Sequence, residues 1–243
     1  MLKRLFIVLG LFGLALVFFD LIREFESPTA LPSVAEHYVA QGLQEVGSAN
    51  LVTAVVVTYR GLDTLGEVTV LFIAATGVGL LLKRREQHDD AGDAGNVHIV
   101  DNARLVMKKR PASELVQTGS LFLVSLIVLF GVYIFVNGHL SPGGGFQGGA
   151  VIASGVLLLL LANPYQELSH TTISVLESLS GAVYVGLGIV GLVWAGGFLD
   201  NNIFGLGTAG MLCSAGIIPL IYVCVGLKVG AELSGVLEHL QKA

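Results

Sequence analysis

The sequence predicts an all-α integral membrane protein of about six transmembrane helices, with both termini in the cytoplasm. Three observations carry that expectation. Of the 243 residues, 53% are hydrophobic and only 13% are charged, whereas a soluble globular domain carries about 25% charged residues. Six stretches approach the ~20 mostly apolar residues that a spanning helix needs. The basic residues also fall overwhelmingly on one side of those stretches, as the positive-inside rule requires.

The first stretch, 5–22, follows Lys3 and Arg4 as the core of a signal sequence would. Residues 19–26 are bulky and charged and hold no small-residue cleavage site, so an uncleaved helix is expected. Residues 46–59 are apolar but short for a span. They are expected to lie along the outer surface or to pack against the next helix, because a crossing here would invert everything after it. The second span is 62–82. The segment 86–96, "EQHDDAGDAGN", is polar, acidic and glycine-containing, as a linker is. A basic patch follows, and the remaining spans fall at 117–136, 144–162, 174–194 and 208–227. The domains expected are a two-helix module at 1–95, a basic cytoplasmic linker at 96–115 and a four-helix domain at 116–243.

With the N-terminus inside, Lys3, Arg4, Lys83, Arg84, Arg85, Arg104, Lys108, Lys109, Arg110 and Lys242 are cytoplasmic. Only Arg23 and Arg60 lie outside. The basic residues form no large stripe, so a nucleic-acid partner is not expected and the partner surface is the lipid bilayer. Cys213 and Cys224 stand in apolar sequence without metal-ligand spacing. No metal site, cofactor, nucleophile–base pair or nucleotide loop is visible, so an enzyme is not expected.

Ionisable residues inside apolar spans are costly and mark functional sites. In "YRGLDTLGEVTVLF", Arg60, Asp63 and Glu67 share one helical face. Two carboxylates this close in low dielectric do not both ionise cheaply, which suits a proton or cation relay. The alternative is an interfacial ion pair that ends the helix. In "GLKVGAELSG", Lys228 and Glu232 are an i, i+4 pair at or just inside the cytoplasmic end of the last helix. They make either a relay element or a surface pair with a snorkelling lysine. Gly226, Gly230 and Ser234 form a small-xxx-small ridge beside them. Glu177, in "ISVLESLSGAVY", is either a buried relay carboxylate or an acid favoured by the helix N-terminus.

"GHLSPGGGFQGGAV" joins two spans on the outer side. Pro142, Gly143, Gly144, Gly145, Gly148 and Gly149 would form a structural loop that packs under a neighbour or lines a polar cavity, because irregular backbone at membrane depth must be covered. His139 is the titratable group beside it.

"HLSPGGGFQGGAVIASGVLLLLL", the segment "AGGFLDNNIFGLGTAG" and "GLKVGAELSG" together resemble the MnhB/MrpB-like component of the multisubunit Mrp-type Na+/H+ antiporters, over about 112–235. "VTYRGLDTLGEVTVLFIAATGVGLLL" resembles the C-terminal region of the large MrpA-type component of the same antiporters, so the chain reads as a fusion of pieces of two neighbouring components. The resemblance implies a multi-pass protein of the cell (inner) membrane, in a hetero-oligomer with other antiporter subunits, handling Na+ and H+. It matches Glu67 to the glutamate of the motif in the large component. On this reading Arg60, Asp63 and Glu67 form the main polar site, and Lys228, Glu232 and Glu177 a second. Two alternatives remain: a purely structural role in the assembly, and the membrane arm of an energy-converting hydrogenase or related redox complex.

Overall fold

The computed structural model describes residues 2–23, 30–92, 112–166 and 168–242. The regular structure among these residues is all helical, with no strand among them. They divide into two compact units, Met1–His37 and Tyr38–Ala243. The basic patch at Arg104, Lys108, Lys109 and Arg110, and most of the linker around it, lie outside the described residues.

In the first unit, helix α1 (Leu2–Arg23) is a single run of 22 residues. Its apolar stretch, Leu5–Asp20, has no polar face, as a helix surrounded by lipid or protein requires. Helix α2 (Ser33–Val46) starts in the first unit, and from Tyr38 onward it belongs to the second.

The second unit holds the remaining elements. Asn50 caps the next helix by accepting from the backbone N–H groups of Val52 and Thr53, which satisfies two otherwise orphan donors. That helix, α3, starts as Leu51–Thr53 and continues as a π-helical turn, Ala54–Tyr59. Its Val57 and Ala54 are fully buried, and the Tyr59 ring stacks on Tyr38 with centroids 4.5 Å apart. Residues 46–59 therefore pack against protein and do not make a span of their own.

Five further helices follow: α4 (Gly61–Gly92), α5 (Glu114–Val136), α6 (Gly145–Ala162), α7 (His170–Trp194) and α8 (Ile218–Lys242). All five contain stretches long and apolar enough to cross a membrane. Ser113 and Ser169 cap α5 and α7 through their hydroxyls. The central element is α8, which packs against α4, α5, α6 and α7. Ile218, Ile221, Val225 and Val229 on α8 are almost wholly buried.

The last span differs from the expected 208–227. Residues 205–217 are irregular, because Gly205, Gly207, Gly210 and Gly216 take positive φ, as does Ala215 at 63°. Left-handed backbone is favourable only for glycine and ends any helix. At Gly216 a Cβ would strike the carbonyl of Asn201. The helix thus begins ten residues later than hydropathy alone indicates. This places Lys228 and Glu232 near its middle instead of at its cytoplasmic end.

The glycine-rich loop is a close-packing junction. Its glycines are not among the positive-φ positions; what they supply is room. A Cβ at Gly148 would lie 2.6 Å from the carbonyl oxygen of Gly131 on α5, and one at Gly149 2.8 Å from that of Gly226 on α8. Helices α5, α6 and α8 meet here backbone to backbone, as small residues permit in membranes.

Candidate functional site

The middle of α8 carries Lys228 and Glu232 one turn apart, so their side chains meet on one face. Lys228 Nζ stands 2.7 Å from Glu232 Oε1 and 4.0 Å from Glu177 Oε1 of α7. It also lies 5.0 Å from the centroid of the Phe72 ring on α4, within cation–π range. The Glu232 side chain is 1% exposed and that of Lys228 is 12% exposed. Oε2 of Glu232 finds no hydrogen-bond partner among the described residues. With both carboxylates ionised, this trio carries one net negative charge. One added proton or monovalent cation brings it to neutrality, which a low-dielectric interior favours.

The two carboxylates of the trio border a cavity of about 400 Å³ between α4, α7 and α8. Glu177, Glu232, Ser174 and Thr76 line it, and His170 and His239 line it as well. The two histidine rings are 6.4 Å apart. His170 Nε2 is 3.4 Å from Oε1 of Glu238, a side chain buried in α8. Sequence reasoning missed His170, His239 and Glu238. The available signal was helical spacing: Glu232 and His239 are seven apart on α8, as are His170 and Glu177 on α7. The antiparallel packing of α7 on α8 then brings the two stripes together.

The other expected residues lie elsewhere. Arg60 and Asp63 form an ion pair at 2.5 Å with both side chains more than half exposed, where a pair contributes little to stability. Glu67 is exposed on α4 and makes no ion pair among the described residues. The structure therefore does not join Arg60, Asp63 and Glu67 to Lys228, Glu232 and Glu177.

His139 is fully buried under the glycine loop. Burial pushes its imidazole below the ordinary value, and the backbone groups of Met211, Leu212 and Val136 only partly offset this. Its carbonyl accepts from Ser48 Oγ at 2.9 Å and from the Asn50 N–H at 3.0 Å. Asn50 Nδ2 donates to the carbonyls of Gly138 and Ser141, each at 2.9 Å. Thr53 Oγ1 donates to the carbonyl of Gly138 at 2.8 Å and stands 2.7 Å from the Tyr222 hydroxyl of α8. Pro142, Gly143 and Gly144 thus sit in a loop tied to the start of α3, whereas Gly145, Gly148 and Gly149, expected in the loop, lie in the first turns of α6.

The family described as a domain related to the MnhB subunit of Na+/H+ antiporters matches residues 115–235. The MbhE family of MBH subunits matches residues 3–96. An uncharacterised protein of Methanocaldococcus jannaschii is 31% identical over 221 residues, covering 85% of this chain and 84% of that protein. A probable K+/H+ antiporter protein of Rhizobium meliloti, of the combined A/B type, is 31% identical over 134 residues, or 52% of this chain. The chain spans only 13% of that larger relative. Among solved structures, a chain of the membrane-bound sulfane sulfur reductase, an archaeal respiratory membrane complex, superposes with a TM-score of 0.76 at 38% identity. That match covers 99% of this chain and 98% of the other. The chain thus carries a domain of the MnhB-related family at 115–235, preceded by a domain of the MbhE family at 3–96.

Proposed function

We propose that the chain is a cell-membrane subunit of a hetero-oligomeric antiporter that exchanges Na+ for protons. It contributes a carboxylate-lined ion path and part of the scaffold. The observation that carries this reading is the trio of buried Glu232 and half-buried Lys228 and Glu177, with Nζ 2.7 Å and 4.0 Å from the two carboxylates. Buried ion groups cost stability unless paired, and three ionisable groups gathered between apolar helices are hard to account for as packing. The trio changes charge by one when a proton or Na+ enters, and Lys228 is placed to swing between two acceptors.

The test uses the assembled complex in sealed vesicles, with Na+-driven proton movement as the readout. Glu232→Gln and Glu177→Gln are expected to slow exchange roughly tenfold or more, about 1.4 kcal/mol on the barrier. Assembly should be retained. Undiminished exchange in an assembled Glu232→Gln complex defeats the ion-path role and leaves a scaffold.

A second reading is favoured by the full-length likeness to a chain of the sulfane sulfur reductase complex. On that reading the same trio serves the membrane arm of a redox-driven ion pump. The tagged chain, extracted in mild detergent, separates the two hosts. Antiporter-like membrane proteins alone indicate an exchanger, and iron–sulfur partners indicate the redox arm.

A further inference from the structure

We propose that the cavity between α4, α7 and α8 is a water-filled vestibule, open on the side of the α8 C-terminus, through which His239 and His170 pass protons to the buried Glu232. The inference deepens the ion-path reading and rests on it for the destination of the proton. The vestibule itself rests on geometry alone. At about 400 Å³, the space holds on the order of ten waters at about 30 Å³ each. Its deep end is lined by Glu232, a buried side chain whose Oε2 finds no hydrogen-bond partner among the described residues. Its shallow end carries His170, whose side chain is 64% exposed, and the exposed His239. The polarity and depth therefore run in the same direction.

His239 is oriented for exchange. Nδ1 lies 2.8 Å from the carbonyl of Gly235, which fixes the proton on Nδ1 and leaves Nε2 as the exchanging nitrogen. Gly79 of α4 faces the ring: a Cβ there would meet it at 3.6 Å, an ordinary contact distance. The titratable groups around the vestibule are His170 and Glu177 on α7, and Glu232, Glu238 and Lys228 on α8. From α4, Thr76 is the polar lining residue among those described. In the step itself, the N–H bond at Nε2 of the imidazolium breaks, vestibule water carries the proton, and an O–H bond forms at Glu232 Oε2.

The test reads water directly. Gly235→Cys and Ala231→Cys are introduced singly into the full chain, with Cys213 and Cys224 replaced by alanine, and the complex is assembled in vesicles. Gly235 has room, since a Cβ there meets nothing closer than Ile173 at 4.0 Å. A membrane-impermeant methanethiosulfonate reacts with thiolates, which form in water and not in apolar surroundings. Both cysteines are expected to be labelled from the face bearing the α8 C-terminus and from that face only. Ala153→Cys, at a buried position of α6, is expected to stay unlabelled. Absence of label at both vestibule positions in an exchanging complex overturns the vestibule and leaves the trio's role intact. Labelling from both faces overturns its one-sidedness. One-sided labelling in a complex indifferent to Glu232→Gln supports the vestibule while defeating the exchange reading. The histidine relay has its own readout. His239→Gln with His170→Gln is expected to leave labelling unchanged and to remove the acid-side limb of the exchange pH profile. An unchanged profile overturns the relay.

Discussion

Lys228 Nζ lies 2.7 Å from Glu232 Oε1 near the middle of α8, one turn apart on the most enclosed of the long apolar helices among the described residues. Removing one partner of a buried pair leaves an uncompensated charge and costs about 3–5 kcal/mol, whereas removing both is close to neutral. Lys228→Met is therefore expected to lower the unfolding temperature of the detergent-extracted complex sharply. Lys228→Met with Glu232→Gln should recover most of that loss while exchange stays absent. A double variant no more stable than the single one shows that the pair is not the unit described.

The junction of α5, α6 and α8 depends on the absence of side chains. Since a Cβ at Gly149 would lie 2.8 Å from the Gly226 carbonyl, Gly149→Leu forces α6 away from α8. Overpacking of this kind costs about 1–3 kcal/mol or more. The chain is expected to be recovered without its partner proteins, as size-exclusion profiles in detergent would reveal. Gly186→Ala, where a Cβ meets nothing within 4 Å, serves as the tolerated control.

The spacing of Lys228 and Glu232 was legible as a helical pair, and so was the apolar character of every long helix. Their depth was not legible. Hydropathy cannot see that glycines between Gly205 and Gly216 hold left-handed backbone, so it starts the last helix early and places the pair at a membrane edge. The face shared by Arg60, Asp63 and Glu67 was also legible, but which way it points depends on α4 packing on α8. His170 and His239 are 69 positions apart in the sequence. Only the antiparallel fit of α7 on α8 brings them into one cavity.

Glu67 is exposed on α4 without an ion pair among the described residues, so its neutralisation should cost the fold little. Surface substitutions of this kind stay within about 0.5 kcal/mol. Glu67→Gln is expected to leave the melting temperature of the extracted chain unchanged and to reduce exchange only in the assembled complex. Equal exchange in the assembled variant removes Glu67 from the ion path. A lowered melting temperature of the chain alone would point to an internal role instead.

His139 supplies a pH dependence of the fold itself. Burial holds the folded imidazole below its ordinary 6.5, so below that value the unfolded chain binds a proton that the folded chain refuses. Stability then rises with pH where the unfolded state carries more protons. This contribution is present above about 6.5 and is lost as the solution is acidified towards the folded value. The His139→Gln variant keeps the backbone bonds from Ser48 and Asn50 to residue 139 but has no proton to take up. Melting curves of the two proteins are expected to run parallel above pH 7 and to converge on acidification, as the native chain loses stability that the variant does not. Parallel curves at every pH would show that the imidazole is not what the acid acts on.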